Sequence, residues 1–328
     1  MRGFLKIALA ISGAAFAVTL AASIAVTARL RSDIAARPTK PGDDALFHLI
    51  AIVPSSDAGR YYARALESMG RAARKAGAAL QPLTYAQGDA PESIARLLIL
   101  AAELEPDGVI VSAPLAPLVV GAVDALAAAG IPVVALESDL PGSARAAFVG
   151  TNPYSIGALA ATAVAESFPN GAEVALVLSR DFADGSPRGA SIAAGFNYGA
   201  RDRHDIRLAM TRTTREGPSA SEEIVRELLA ERGDISVAVF IGARDAEGAA
   251  RALIEYNKVG ELSIIGFDDD PTLLELVQLG VVAASIARSP ERSGEDAVLA
   301  AMTLARGGRT SAYIDPGLRV IRRGGSDR

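Results

Sequence analysis

Cysteine is absent from this chain of 328 residues. Disulfides, thiolate chemistry and lipid modification of an N-terminal cysteine are therefore excluded. Histidine is nearly absent too: His48 sits inside an apolar strand pattern and His204 in a polar loop. Two unclustered imidazoles argue against a histidine-based catalytic or metal centre, and both read as structural. Aromatic residues make up only 5%, and the net charge of −5 comes with no basic block, which leaves nothing for a nucleic-acid surface. The common enzyme signatures are missing as well. There is no G-x-x-x-x-G-K-[ST], no G-x-G-x-x-G after the first strand, no G-x-S-x-G elbow and no H-E-x-x-H. The expectation is a protein without catalysis, cofactor or metal.

Half of the residues are hydrophobic, enough for a large core and about two domains. Arg2 and Lys6 precede an uncharged stretch, Ile7–Ala28, of the length that crosses a bilayer as a helix of about 20 residues. It exceeds the 7–15-residue apolar core of a cleaved signal, although Val26-Thr27-Ala28 offers small residues for cleavage. Residues 1–28 thus predict export, with either a cleaved signal or a retained anchor, and the length favours the anchor. Arg29, Arg31 and Arg37 follow, which weakens any charge-bias reading of orientation. Residues 29–45, with Pro38, Pro41 and Gly42, read as a linker, and 323–328 as a frayed tail.

From Leu46 one rhythm repeats: a short apolar run, a turn, then a dozen or more amphipathic residues. Five runs (46–53, 79–85, 108–112, 132–136, 146–150) are followed by five more (173–179, 206–210, 236–241, 262–267, 282–287). The intervening stretches have helical periodicity; in 60–77, Ala63, Leu66, Gly70 and Ala73 share a face and Gly77 supplies a stop. Alternation of this kind specifies α/β architecture, with parallel sheets covered on both faces. Ten strands in two sets of five predict two doubly wound lobes; a closed eightfold barrel is the competing arrangement.

Ligands of open α/β sheets bind at the carboxyl ends of strands. Those positions hold Ser55 and Asp57, then Tyr61 and Tyr62; Glu137; Arg188; Arg244; Asp268; and Arg288. Hydroxyls, carboxylates, arginines and aromatic rings are the inventory for gripping a small polar molecule. Adjacent Tyr61 and Tyr62 diverge by about 100° on a helix, so at least one faces the cleft. In "FDDDP" (267–271) the roles separate: Asp270 before Pro271 predicts a helix cap, Asp269 faces water, and Asp268 is the hook left for a ligand.

The segment "IIGFDDDPTLLELVQLGVVAASIARSPERSGEDAV" (264–298) resembles the C-terminal part of type I periplasmic sugar-binding proteins, the ribose-binding class. "FVGTNPYSIGALAA" (148–161), with Asn152, Tyr154 and Gly157 in register, is similar to that family's crossing segment, and 53–77 and 131–138 match as well. The resemblance covers roughly 46–322 and implies a two-lobed clamp with a three-segment hinge. The implied lobes are 46–150 plus 289–311 and 151–288 plus 312–322, with crossings near Gly150–Asn152, Arg288–Ser289 and Arg309–Tyr313.

By resemblance, Tyr61 and Tyr62 stand where paired rings sandwich a sugar, and Asp268 and Glu137 where carboxylates accept its hydroxyls. The departures are specific. Ser138 replaces an arginine; Ile192 replaces a helix arginine that Arg188, one turn earlier, could supply; Gly242–Asp245 replaces an Asn-Asp pair; Arg288 replaces a glutamine. Two readings of Arg288 follow: an internal ion pair with Glu137 and Asp268, or a receiver for an acidic group on the ligand. The family implies a monomeric, exported solute-binding protein that takes a sugar or polyol to an inner-membrane ABC-type permease. With its anchor retained it would instead signal occupancy to a chemoreceptor or kinase. Repressors of related fold carry an N-terminal DNA-binding module where this chain has its apolar segment, and a hydrolase on the same sheets is the most distant reading.

Overall fold

The computed structural model describes residues 46–55, 60–86, 88–183, 185–214, 218–242 and 244–324. The apolar stretch Ile7–Ala28, the linker, Asp57 and most of the tail lie outside the described residues. No helix among the described residues is long and apolar enough to cross a membrane.

The first lobe alternates β1 (Phe47–Pro54), α1 (Arg60–Ala76), β2 (Ala78–Tyr85), α2 (Pro91–Glu103), β3 (Gly108–Val111), α3 (Pro117–Ala128), β4 (Val133–Leu136) and β5 (Ala147–Val149). The second continues with α4 (Pro153–Ser167), β6 (Ala172–Leu178), α5 (Pro187–Gly199), β7 (Ile206–Thr213), α6 (Pro218–Glu231), β8 (Val237–Ile241), α7 (Asp245–Glu255), β9 (Ser263–Phe267), α8 (Pro271–Leu279) and β10 (Val282–Arg288). The chain then returns to the first lobe as α9 (Pro290–Ala305) and β11 (Tyr313–Ile314), and ends in the second as β12 (Leu318–Arg322).

The two sheets repeat one order: β11-β5-β4-β3-β1-β2 and β12-β10-β9-β8-β6-β7. Every pairing is parallel except β10 with β12. Both faces of each sheet are covered, which is why the strands read as unbroken apolar runs. In β1, Leu49, Ala51 and Val53 enter one core cluster while Ile50 and Ile52 enter the cluster on the other face. Pro82 lies inside β2, where its missing donor is tolerated because β2 is the sheet edge.

Between α4 and α5 the backbones nearly touch. A Cβ on Gly157 would sit 1.9 Å from the Ile192 carbonyl oxygen, and one on Gly195 would sit 2.0 Å from that of Tyr154. The third crossing lies later than the expected Arg309–Tyr313. Tyr313 and Ile314 pair with Phe148 and Val149 of β5, so the chain leaves the first sheet only after Ile314. Stacking of the Tyr313 ring on Phe148, at 5.6 Å between centroids, holds the segment there.

Candidate functional site

The carboxyl ends of both sheets face each other, and side chains from the two lobes converge there. Glu137 follows β4 and Asp268 follows β9, the equivalent strands of the two sheets. Both adopt left-handed backbone conformations, φ 59° and 70°, and their amides donate to matching carbonyls, Val149 of β5 and Ile286 of β10. Residues other than glycine avoid this region because Cβ crowds the backbone, at a cost of about 1–2 kcal/mol. Strain of this kind persists where surrounding structure imposes it and clusters at functional sites.

Arg288, at the end of β10, joins the two carboxylates. Its Nε and Nη2 donate to Asp268 Oδ1 and Oδ2 at 2.9 and 2.6 Å, a two-point fork within the second lobe. Its Nη1 reaches across to Glu137 Oε2 at 3.4 Å. The guanidinium lies 4.0 Å from the Tyr61 ring centroid and 5.1 Å from that of Phe267. Planar stacking and two-point pairing of this kind are what an arginine offers and a lysine does not. Burial works against the charge of Arg288, yet attraction to Asp268 and then Glu137 outweighs it and holds its pKa well above the ordinary value. Of the two sequence readings of Arg288, the internal ion pair is therefore the one present.

Glu137 is buried, at 6% exposure, and its Oε1 accepts from the Tyr61 hydroxyl at 2.5 Å and from Ser293 Oγ at 3.2 Å. The Tyr61 and Ser293 hydroxyls lie 2.7 Å apart; with the tyrosine proton on Glu137, Ser293 Oγ is placed to donate to the Tyr61 oxygen or to Oε1. Burial, then the neighbouring carboxylate, pushes the Tyr61 pKa well above its ordinary 10.0. Tyr62 sets its ring edge-on to Tyr61, 5.3 Å away, and its hydroxyl shares a 2.9 Å hydrogen bond with Ser112 Oγ. Tyr85 donates to the Ser112 carbonyl, and the half-buried Ser55 donates its amide to the Tyr85 carbonyl. The first-lobe wall of the cleft is thus a run of hydroxyls and rings.

Arg188 joins less directly. Its guanidinium lies over the Phe182 ring at 4.5 Å, and Phe182 meets Phe267 edge to face at 6.4 Å. Arg244, also left-handed with φ 64°, extends into solvent at 63% side-chain exposure and pairs at 3.7 Å with buried Glu247, outside the central cluster.

The aspartate triplet corrects one expectation. Asp270 caps α8 as expected, accepting from the Thr272 amide at 3.1 Å with Pro271 at the first helical position. Asp269 does not face water. Its side chain is 12% exposed and is gripped by Arg64 at 2.5 Å and Arg319 at 2.7 Å. Arg64 belongs to α1 and also pairs with Glu291 of α9, at 2.6 Å. The sequence reading missed Arg64, Ser293, Ser112 and Phe267. Arg64 was within reach, since it lies three residues after Tyr61 and so shares its helix face. Ser293 was not, because its partners Tyr61 and Glu137 are remote in sequence.

A surface depression between the amino ends of β3 and β4 and the end of α9 is lined by Glu105, Asp107, Ile131 and Leu304, without such convergence. Fold and site together define a two-lobed clamp around a polar, aromatic-lined cleft.

Comparison with known proteins agrees with that description. Residues 50–309 match the model of the periplasmic binding protein domain. The chain belongs to this periplasmic binding protein family, whose members are extracytoplasmic, and its neighbours are of the type I, sugar-binding kind. It is similar to the ribose import binding protein RbsB of Haemophilus influenzae, 34% identical over 98 residues. That match spans 30% of this chain and only a third (33%) of the relative. The glucose-galactose binding protein GanP of Geobacillus stearothermophilus superposes with a TM-score of 0.73 at 25% identity, covering 85% of this chain and 98% of its own. The XylFII–LytSN complex matches in fold, with a TM-score of 0.70 at 23% identity over 85% and 99% of the two chains.

Proposed function

We propose that this protein captures a small, uncharged polar ligand, a sugar or polyol, between its two lobes and hands it on without making or breaking a covalent bond. The observation that carries the reading is the matched pair Glu137 and Asp268. Two strained, inward-facing carboxylates on equivalent strands, beside Tyr61 and Tyr62, suit a ring with an apolar face and hydroxyl edges. Ser55, Asp57 and Arg188 would complete the contacts from the two lobes, with Arg244 at the rim. Arg288 argues for an uncharged ligand. Its charge is already matched by two carboxylates, so an acidic ligand would meet a net negative cluster.

The family and the relative named for ribose import support an ABC-type permease as the receiving partner and a place of action on the extracytoplasmic side; the protein would act there as a monomer. Ile7–Ala28 would serve as signal or anchor. Retained as an anchor, it would suit a second role in which occupancy is passed to a membrane sensor; the XylFII–LytSN assembly favours that reading.

A thermal-shift panel of sugars, polyols and sugar acids tests the proposal. A ligand at 100 times its Kd adds about 2.7 kcal/mol of stability, and the melting temperature rises accordingly. A panel in which no sugar or polyol raises the melting temperature would refute it. Mass spectrometry of the exported protein's N-terminus distinguishes a cleaved signal, ending near Ala28, from a retained anchor.

A further inference from the structure

Three arginine contacts cross the cleft. Arg288 of the second lobe reaches Glu137 and stacks on Tyr61 of the first. Arg64 of the first lobe bonds Asp269 of the second at 2.5 Å while Glu291 holds it from its own lobe. Arg60, also on α1, lies 3.9 Å from Asp270. Together they bind the start of α1 to the β9–α8 loop and the end of β10, beside the crossing into α9.

These are not three loose surface pairs. Asp269 is 12% exposed and Arg288 17%, and each central arginine is held at two or more points. Arg319 supplies a further donor to Asp269 from β12, and Burial disfavours the charge of Arg64, but Asp269 and Glu291 outweigh it and raise its pKa. Arg60–Asp270 is the exception: Arg60 is 69% exposed and the separation is long, so it adds little.

We infer that Arg288 and Arg64 are built-in tethers that hold the two lobes together without ligand. In a clamp closed only by its ligand, the empty protein rests open and the ligand supplies the contacts that bridge the lobes. Here the protein's own guanidinium supplies a bridge between the carboxylates of the two lobes. The empty closed form is populated, and a ligand enters a cleft whose main charges are already paired.

The test uses unliganded protein and stands whether or not the ligand is a sugar. Because the chain has no cysteine, the substitutions Leu118→Cys and Ala190→Cys allow dye labelling in the full-length chain. They sit on the first turns of α3 and α5, one on each lobe. Denaturation and refolding strip any co-purified ligand, and circular dichroism confirms refolding. Single-molecule energy transfer then reads the inter-lobe distance. The expected result is a predominantly short distance in the parent. Adding Arg64→Gln and Arg288→Gln should lower the closed-to-open ratio by roughly tenfold or more. A salt titration to 1 M KCl supplies a readout without arginine substitution. It should lengthen the distance in the parent, because the Arg64–Asp269 pair is partly open to solvent and screened. A parent that is already open, or a distance that changes neither with the substitutions nor with salt, would overturn the inference.

Discussion

Replacing Glu137 separates a buried anchor from a solvated carboxylate. In Glu137→Ala, three donors lose an acceptor: the Tyr61 hydroxyl, Ser293 Oγ and Arg288 Nη1. Hydrogen bonds to charged groups contribute about 1.5–3 kcal/mol each. The sum is not reached, because Tyr61 keeps Ser293 at 2.7 Å and Arg288 keeps its fork on Asp268. Only the 2.5 Å bond from Tyr61 is short, and Arg288 stands at 3.4 Å. The loss should therefore be about 3 kcal/mol for alanine. Glu137→Gln keeps the shape and one carbonyl acceptor but loses the charge, and should cost about 1 kcal/mol. Both inherit the left-handed backbone at φ 59°, so strain does not distinguish them. Urea unfolding followed by tyrosine fluorescence and circular dichroism measures the difference. A loss below about 0.5 kcal/mol for alanine, the range of ordinary surface changes, would refute the buried-anchor role.

Ligand preference should follow charge: neutral monosaccharides or polyols should stabilise the protein in a thermal-shift assay while the corresponding sugar acids do not, and preferential stabilisation by the acids would contradict the matching of Arg288. The contribution of Tyr61 to stability should be constant below about pH 10 and fall above it. The Tyr61 pKa is raised on folding, so the unfolded chain releases that proton first and each pH unit removes up to about 1.4 kcal/mol; unfolding curves of Tyr61→Phe should show a shallower alkaline slope. Gly157→Ala would drive a methyl into the Ile192 carbonyl, and the overpacking should cost at least about 1–3 kcal/mol in urea; an unchanged midpoint would mean that α4 and α5 separate easily.

What the sequence revealed depended on the range of the forces involved. Strands β1–β10 were legible, most of them because buried parallel strands are apolar throughout, as Leu49–Val53 and Val237–Ile241 are, whereas the half-buried β12 was not read. Nor was strand β11. Tyr313 and Ile314 are a strand only because β5 is there to pair with, which moved the third crossing. Within "FDDDP" the same distinction holds. Asp270 caps a helix two residues away, a local device that the Asp-Pro order announces. Asp269 was misread because Arg64 and Arg319, its partners, lie 205 and 50 residues away. Asp268, Glu137 and Arg288 were picked out individually by their strand-end positions and by family resemblance. Their joining into one bridge with Tyr61 required the folded arrangement of the two lobes.

Isothermal titration calorimetry of the sugar or polyol identified by the thermal-shift panel, into the parent protein and into Asp268→Ala, tests the central claim most directly. Saturable one-to-one binding to the parent is predicted. Loss of contact with the charged Asp268 should weaken it by about tenfold or more. Equal affinity for the two proteins would contradict the assignment of the cleft.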